Sequence, residues 1–261
     1  MRLGVPYQGS KNAIARDIIA LLPRGKRFVD LFAGGCAMTH AAILSGKYET
    51  FLANDLHGFG VRLFRDAIAG KCNGAWRHWV SREEFFAKRD IDQLVALCWS
   101  FSNNGRDYLY AKTKEESKRA EHERRLRGVK TTTQSLRQCE ALERLQALER
   151  DYRDVEINDG DVVYADPPYA GTQRYNTAPF DHAAFWAWVD TRPFPVFVSE
   201  YNAPDGFSPI WCKGKCQLMH ALGSKGKVQE RLFVADRYAP DFQTDLFLGL
   251  KDVTANEGAK A

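Results

Sequence analysis

Phe28-Val-Asp-Leu-Phe-Ala-Gly-Gly-Cys-Ala-Met38 runs from a short apolar stretch, through a glycine pair, into a helix-forming segment. Bulky residues from Arg27 to Leu31 favour a buried strand, and Gly34-Gly35 permits a tight turn. Ala37 to Leu44 then reads as a helix. The strand signal recurs at Thr50–Ala53, Asp161–Ala165, Pro195–Ser199 and Arg231–Val234. These runs are almost continuously apolar, without clean alternation, which predicts a parallel sheet covered on both faces. Asn12 to Leu22 shows helical spacing and stops at Pro23, and Asp181 to Val189 is a further helix. Such alternation predicts an α/β fold with a doubly wound, mostly parallel, Rossmann-like sheet.

A chain of 261 residues with 44% hydrophobic and 12% aromatic residues can bury a full core, which argues against disorder. No apolar run approaches the roughly 20 residues of a membrane span, and MRLGVPYQGSK lacks the apolar stretch of a secretory signal. The expected location is the cytoplasm. Cys36, Cys72, Cys98, Cys139, Cys212 and Cys216 include no C-x-x-C pair, so reduced thiols and no metal are expected. The net charge of +4 is compatible with a polyanionic partner without requiring one.

Between about Asn73 and Arg153 the strand signal lapses and charged, helix-forming sequence takes over. Leucines at 136, 142, 145 and 148 predict an amphipathic helix over Gln134–Arg150. The expected organisation is a catalytic domain of residues 1–72 and 154–251, a helical insert at 73–153 and a tail at 252–261.

Chemistry centres on Asp166-Pro-Pro-Tyr169, directly after the apolar run ending at Ala165. Two prolines cannot sit inside a central strand, so they form a stiff extended turn past its end, where open α/β sheets bind ligands. The amino group of a base is a poor nucleophile because its lone pair is delocalised into the ring. A carboxylate at Asp166 accepting one amino hydrogen, with the Pro167 carbonyl accepting the other, would localise that lone pair. Tyr169 offers a face on which an extruded base can stack. Gly34-Gly35 suits close backbone approach to a nucleotide, and Asp55, ending the run Phe51-Leu-Ala-Asn-Asp55, suits two ribose hydroxyls.

Taken in order, Pro6-Tyr-Gln-Gly-Ser-Lys11, Asp30-Leu-Phe-Ala-Gly-Gly35, Asn54-Asp55 and Asp166-Pro-Pro-Tyr169 resemble the Dam-like adenine-specific DNA methyltransferases. Ser102-Asn-Asn-Gly-Arg-Asp-Tyr-Leu-Tyr110, Tyr175-Asn176, Phe197 to Pro204 and Glu230-Arg-Leu-Phe233 are closest to phage-borne members. The chain departs from the family pattern at Ser10 and at Cys36-Ala37. The resemblance implies a methyltransferase fold that uses S-adenosylmethionine, yields S-adenosylhomocysteine, and methylates the 6-amino group of a flipped adenine in double-stranded DNA. It implies catalytic roles for Asp166, Pro167 and Tyr169. The cofactor would be held by Tyr7, Lys11, Asp30, Phe32, Gly34, Gly35, Asp55 and Asp166.

In that family the insert reads DNA. Lys112 to Lys130 contains eight Lys or Arg against four Glu, a footprint suited to phosphates. The expected DNA contacts are Asn103, Asn104, Arg106, Lys112, Arg124, Arg125, Arg127 and Lys130, with Arg174 and Tyr175 on a flap after the catalytic motif. A monomer suffices for flipping one base at a time. Transfer to a cytosine amine, or an inactive DNA-binding relative, remain the alternatives. Asp166, rather than serine or asparagine, argues against cytosine, RNA or protein substrates.

Overall fold

The computed structural model describes residues 3–71, 78–109, 140–169, 180–213 and 229–242. The chain divides into two compact units, Met1–Val162 and Val163–Ala261. The first begins with α1 (Ala15–Leu21), β1 (Arg27–Asp30), α2 (Ala37–Ser45), β2 (Thr50–Asn54) and α3 (Phe59–Ala69). It continues with α4 (Arg82–Lys88), α5 (Gln93–Cys98), α6 (Ala141–Arg144) and β3 (Leu145–Leu148). After β4 (Asp161–Ala165) come α7 (His182–Asp190), β5 (Val196–Glu200), β6 (Phe207–Cys212) and β7 (Arg231–Ala235). The seven strands lie in the order β3-β2-β1-β4-β5-β7-β6. β1, β2 and β3 pair in parallel, as do β4 and β5, while β7 runs antiparallel to both β5 and β6. The predicted α/β, Rossmann-like, mostly parallel sheet is therefore present.

The apolar runs form the strands for the reason expected of a covered parallel sheet. Phe28, Val29, Phe51, Leu52, Val163, Tyr164 and Phe197 are all buried. Burial of one such side chain contributes about 1.5–3 kcal/mol. At the start of the sheet the Arg27 guanidinium clasps both carboxylate oxygens of Asp161, joining the first residues of β1 and β4. Helix α1 has no basic residue in its last turn. Lys47 supplies the missing cation from elsewhere in the chain, its Nζ donating to the carbonyls of Ile19, Ala20 and Leu22 at 2.8, 2.6 and 2.7 Å.

Two strands depart from expectation. Instead of one helix over 134–150, the described part contains only the short α6, after which Leu145–Leu148 pairs with Phe51–Asn54. Leu145 and Leu148 are three apart, a spacing that suits a helix equally well; pairing with β2 decides in favour of strand. β6 was hidden by Pro209. The proline is tolerated because β6 is an edge strand whose register shifts between Pro209 and Trp211.

Among the described residues no helix is long and apolar enough to cross a membrane. No cluster of three metal-ligating side chains occurs among them, and Cys36 is a buried free thiol.

Gly60, in the first turn of α3, lies so close to the Gly34 backbone that an added Cβ would stand 1.9 Å from the Gly34 oxygen. In an open helix Gly→Ala gains about 1 kcal/mol. Here the clash should win, and Gly60→Ala should lose about 1–3 kcal/mol in urea denaturation. A gain in stability would show that α3 does not depend on this approach.

Candidate active site

The first unit gathers its candidate groups around the turn after β1. Gly34 has φ +49°, and a Cβ there would meet the Tyr7 ring at 2.7 Å. A Cβ on Gly35 would meet the Tyr7 Cβ at 2.6 Å and the Val5 carbonyl at 2.7 Å. The glycine pair is thus needed to seat the N-terminal segment, with Tyr7 lying over the turn. Val5 N–H donates to the Gly35 carbonyl at 2.8 Å. Gly4, at φ +66°, passes so close that its own Cβ would collide with the same carbonyl. Cys36 follows in the left-handed region at φ 58° and opens α2. Its thiol is raised well above the usual range by burial and then by Asp30 and Asp55, so it stays protonated.

Asp55, just past β2, ties the two strand ends together. Its Oδ2 accepts from Gly34 N–H at 2.9 Å and its Oδ1 from His57 N–H at 3.1 Å. Each oxygen retains a second lone-pair direction, so two ribose hydroxyls can still be accepted. Asp30 is buried, and its Oδ2 accepts from Thr39 Oγ1 at 2.8 Å, bracing the turn against α2 from within. Phe32 is partly exposed and packs on Tyr152 with ring centroids 5.4 Å apart. The Lys11 carbonyl accepts from Ile14 and Ala15 N–H where α1 begins. An aromatic ring over a glycine turn, with a carboxylate bonded to that turn, fits an adenosyl group.

His40 was not anticipated from the sequence. It is wholly buried on α2, and its Nδ1 accepts the Gly4 N–H at 2.9 Å. A neutral ring with its proton on Nε2 is required for this. Burial, and then the charge of Arg16, hold its pKa down to about 4.

In the second unit β4 delivers Asp166-Pro-Pro-Tyr169. Asp166, Pro168 and Tyr169 are partly exposed, whereas Pro167 is buried. The Tyr169 hydroxyl donates to Glu230 Oε1 at 2.5 Å. Its ring meets that of Tyr201 at 4.5 Å between centroids, with the planes 77° apart. Burial first, then the charges of Asp166 and Glu230, raise the phenol well above its ordinary range. Asp166 therefore lies near the Tyr169 ring. Tyr201 and Glu230 carried no assigned role in the sequence reading, although both fall in stretches resembling the family.

The 99–109 loop is self-bonded. Asn103 is buried and donates from Nδ2 to the Leu97 carbonyl at 2.6 Å. Asn104 Oδ1 accepts from Arg106 and Asp107 N–H at 2.8 and 3.1 Å, while its Nδ2 donates to Asp107 Oδ2. Both amides are engaged in holding the loop, leaving Phe101, 60% exposed, as its prominent side chain. The Arg106 carbonyl accepts from Arg89, and its side chain is partly exposed. Lys112, Arg124, Arg125, Arg127, Lys130, Arg174 and Tyr175 lie outside the described residues, as does the tail.

A mostly parallel sheet with a glycine turn after its first strand and Asp-Pro-Pro-Tyr after its fourth places the protein among Rossmann-like methyltransferases directed at amino groups. Comparison narrows this further. The D12 class N6 adenine-specific DNA methyltransferase family matches residues 7–187, and the chain belongs to that family. It is also 23% identical over 252 residues to the Retron Ec67 DNA adenine methylase of Escherichia coli, covering 83% of this chain and 78% of that protein. The chain is an adenine-specific DNA methyltransferase, and the family implies S-adenosylmethionine as its methyl donor.

His40 makes a pH prediction. The unfolded chain takes up its proton near pH 6.5, but the native ring resists until about pH 4. Stability from this group is therefore present above pH 6.5 and lost as pH falls towards 4, by up to about 3 kcal/mol. Urea denaturation at stepped pH should show this fall in the wild type and a much smaller one in His40→Asn. Equal falls would remove His40 as the source.

Proposed function

We propose that this enzyme transfers the methyl group of S-adenosylmethionine to N6 of one adenine turned out of double-stranded DNA, with Asp166, Pro167 and Tyr169 acting on the base. What carries the reading is the Asp166-Pro-Pro-Tyr169 turn at the end of β4, with the Tyr169 ring anchored beside the Asp166 carboxylate. Asp166 accepts one amino hydrogen and the Pro167 carbonyl the other. The nitrogen moves towards tetrahedral geometry and its lone pair becomes available for in-line attack. Once methylated, the amine is acidic, so Asp166 can receive its proton without being a strong base. Tyr169 stacks the base, contributing about 1–3 kcal/mol against an extrusion cost of a few kcal/mol.

S-adenosylmethionine supplies an electrophilic methyl on sulfur and leaves as S-adenosylhomocysteine. Tyr7 and the Gly34-Gly35 turn would flank its adenosyl part, and Asp55 would accept from the ribose hydroxyls. Lys11 and Asp166 would face the methionine end, with Phe32 at the rim. Asp30 would support the turn from beneath. No metal is needed for this chemistry.

The region 73–153, apart from β3, would read DNA. Lys112, Arg124, Arg125, Arg127 and Lys130 would serve the phosphates, and Arg174 and Tyr175 the strand near the flipped base. In the 99–109 loop, Asn103 and Asn104 would act by shaping the backbone that presents Arg106 and Phe101. The enzyme would work as a monomer in the cytoplasm.

Asp166→Ala should lower methyl transfer to DNA at least about a hundredfold while thermal unfolding stays close to wild type. A folded variant retaining transfer within about tenfold of wild type would remove Asp166 from the reaction.

A further inference from the structure

The register of the antiparallel strands brings a second carboxylate to the catalytic motif. On β5 and β7, Glu200 pairs with Arg231. One step further on each chain stand Tyr201 and Glu230, and both reach Tyr169. Glu230 Oε1 takes the Tyr169 hydroxyl at 2.5 Å, while the Tyr201 ring contacts the Tyr169 ring in a T-shaped arrangement. The backbone of Tyr201 is itself held, since its N–H donates to Oε1 of the buried Glu200 at 2.7 Å.

We propose that Glu230 and Tyr201 are positioning residues that set the plane of the Tyr169 ring, and through it the seat of the extruded adenine. This rests on the reading of Tyr169 as the stacking face. A stacking ring must present its face in the plane the purine occupies, and two side-chain torsions can move it out of that plane. The hydroxyl bond holds the far end of the ring and the contact with Tyr201 restrains its tilt. A carboxylate is the stronger acceptor for this purpose, because charge-assisted hydrogen bonds are about twice as strong as neutral ones. The phenol remains a donor at any working pH, since its surroundings oppose ionisation. The reversed strand β7 thereby gains a role in the site that a parallel strand in its place would not supply.

The test uses a duplex of the methylated sequence with 2-aminopurine at the target adenine. Its fluorescence reports extrusion and quenching by the ring, and steady-state kinetics run alongside. Glu230→Leu and Tyr169→Phe should each lower kcat about tenfold and weaken quenching, leaving KM for S-adenosylmethionine within about twofold. Glu230→Gln, which keeps an acceptor oxygen, should recover most of the loss. The Glu230→Leu/Tyr169→Phe double variant should be no worse than either single variant, because both remove one bond. Multiplying losses, or wild-type behaviour of both Glu230→Leu and Tyr169→Phe, would overturn the proposal. Tyr169→Ala separates the two claims. If it impairs quenching and rate while Glu230→Leu does not, only the positioning role fails; if it too is silent, the stacking reading fails with it.

Discussion

Two segments of chain converge on the Gly34-Gly35 turn at distances that leave no room for a Cβ atom. The N-terminal segment crosses at Gly4, α3 abuts it at Gly60, and Tyr7 covers it. Asp55 then locks the turn to the end of β2 through the Gly34 N–H. The approaches at Gly4 and Gly60 are to backbone atoms, so they cannot be relaxed by choosing another rotamer. The same approaches bring an aromatic face and a carboxylate onto one backbone turn. His40 completes the arrangement from within, its unprotonated nitrogen holding Gly4 in place.

The second unit solves a different problem. Pro167 and Pro168 stiffen the chain between carboxylate and ring, but they do not orient the ring. Tyr201, just past β5, and Glu230, just before β7, meet Tyr169 from separate stretches of sequence through the antiparallel register. Burial, together with negative charge from Asp166 and Glu230, keeps the phenol neutral.

The places of the glycine turn, Asp55 and Asp166-Pro-Pro-Tyr169 just past strand ends were legible because each is local: a few adjacent residues whose types suit a strand end. The five apolar runs declared themselves in the same way, by composition within a short window. β3 did not, since Leu145-Gln-Ala-Leu148 carries no preference that its pairing with β2 does not override. Nor did β6, where Pro209 signals against a strand unless the edge position is known. His40 and Glu230 act across long separations, 36 residues to Gly4 and 61 to Tyr169, and such contacts leave no mark in a local pattern. Asn103 and Asn104 show how one residue type serves two ends. Residue types suited to base edges are equally suited to closing a tight loop, and their amides do the latter.

The most direct measurement is nucleoside mass analysis of duplex DNA incubated with purified protein and isotopically labelled S-adenosylmethionine. The account predicts label in N6-methyladenine. Label confined to N4-methylcytosine, or absent from DNA altogether while the protein is folded, would contradict it.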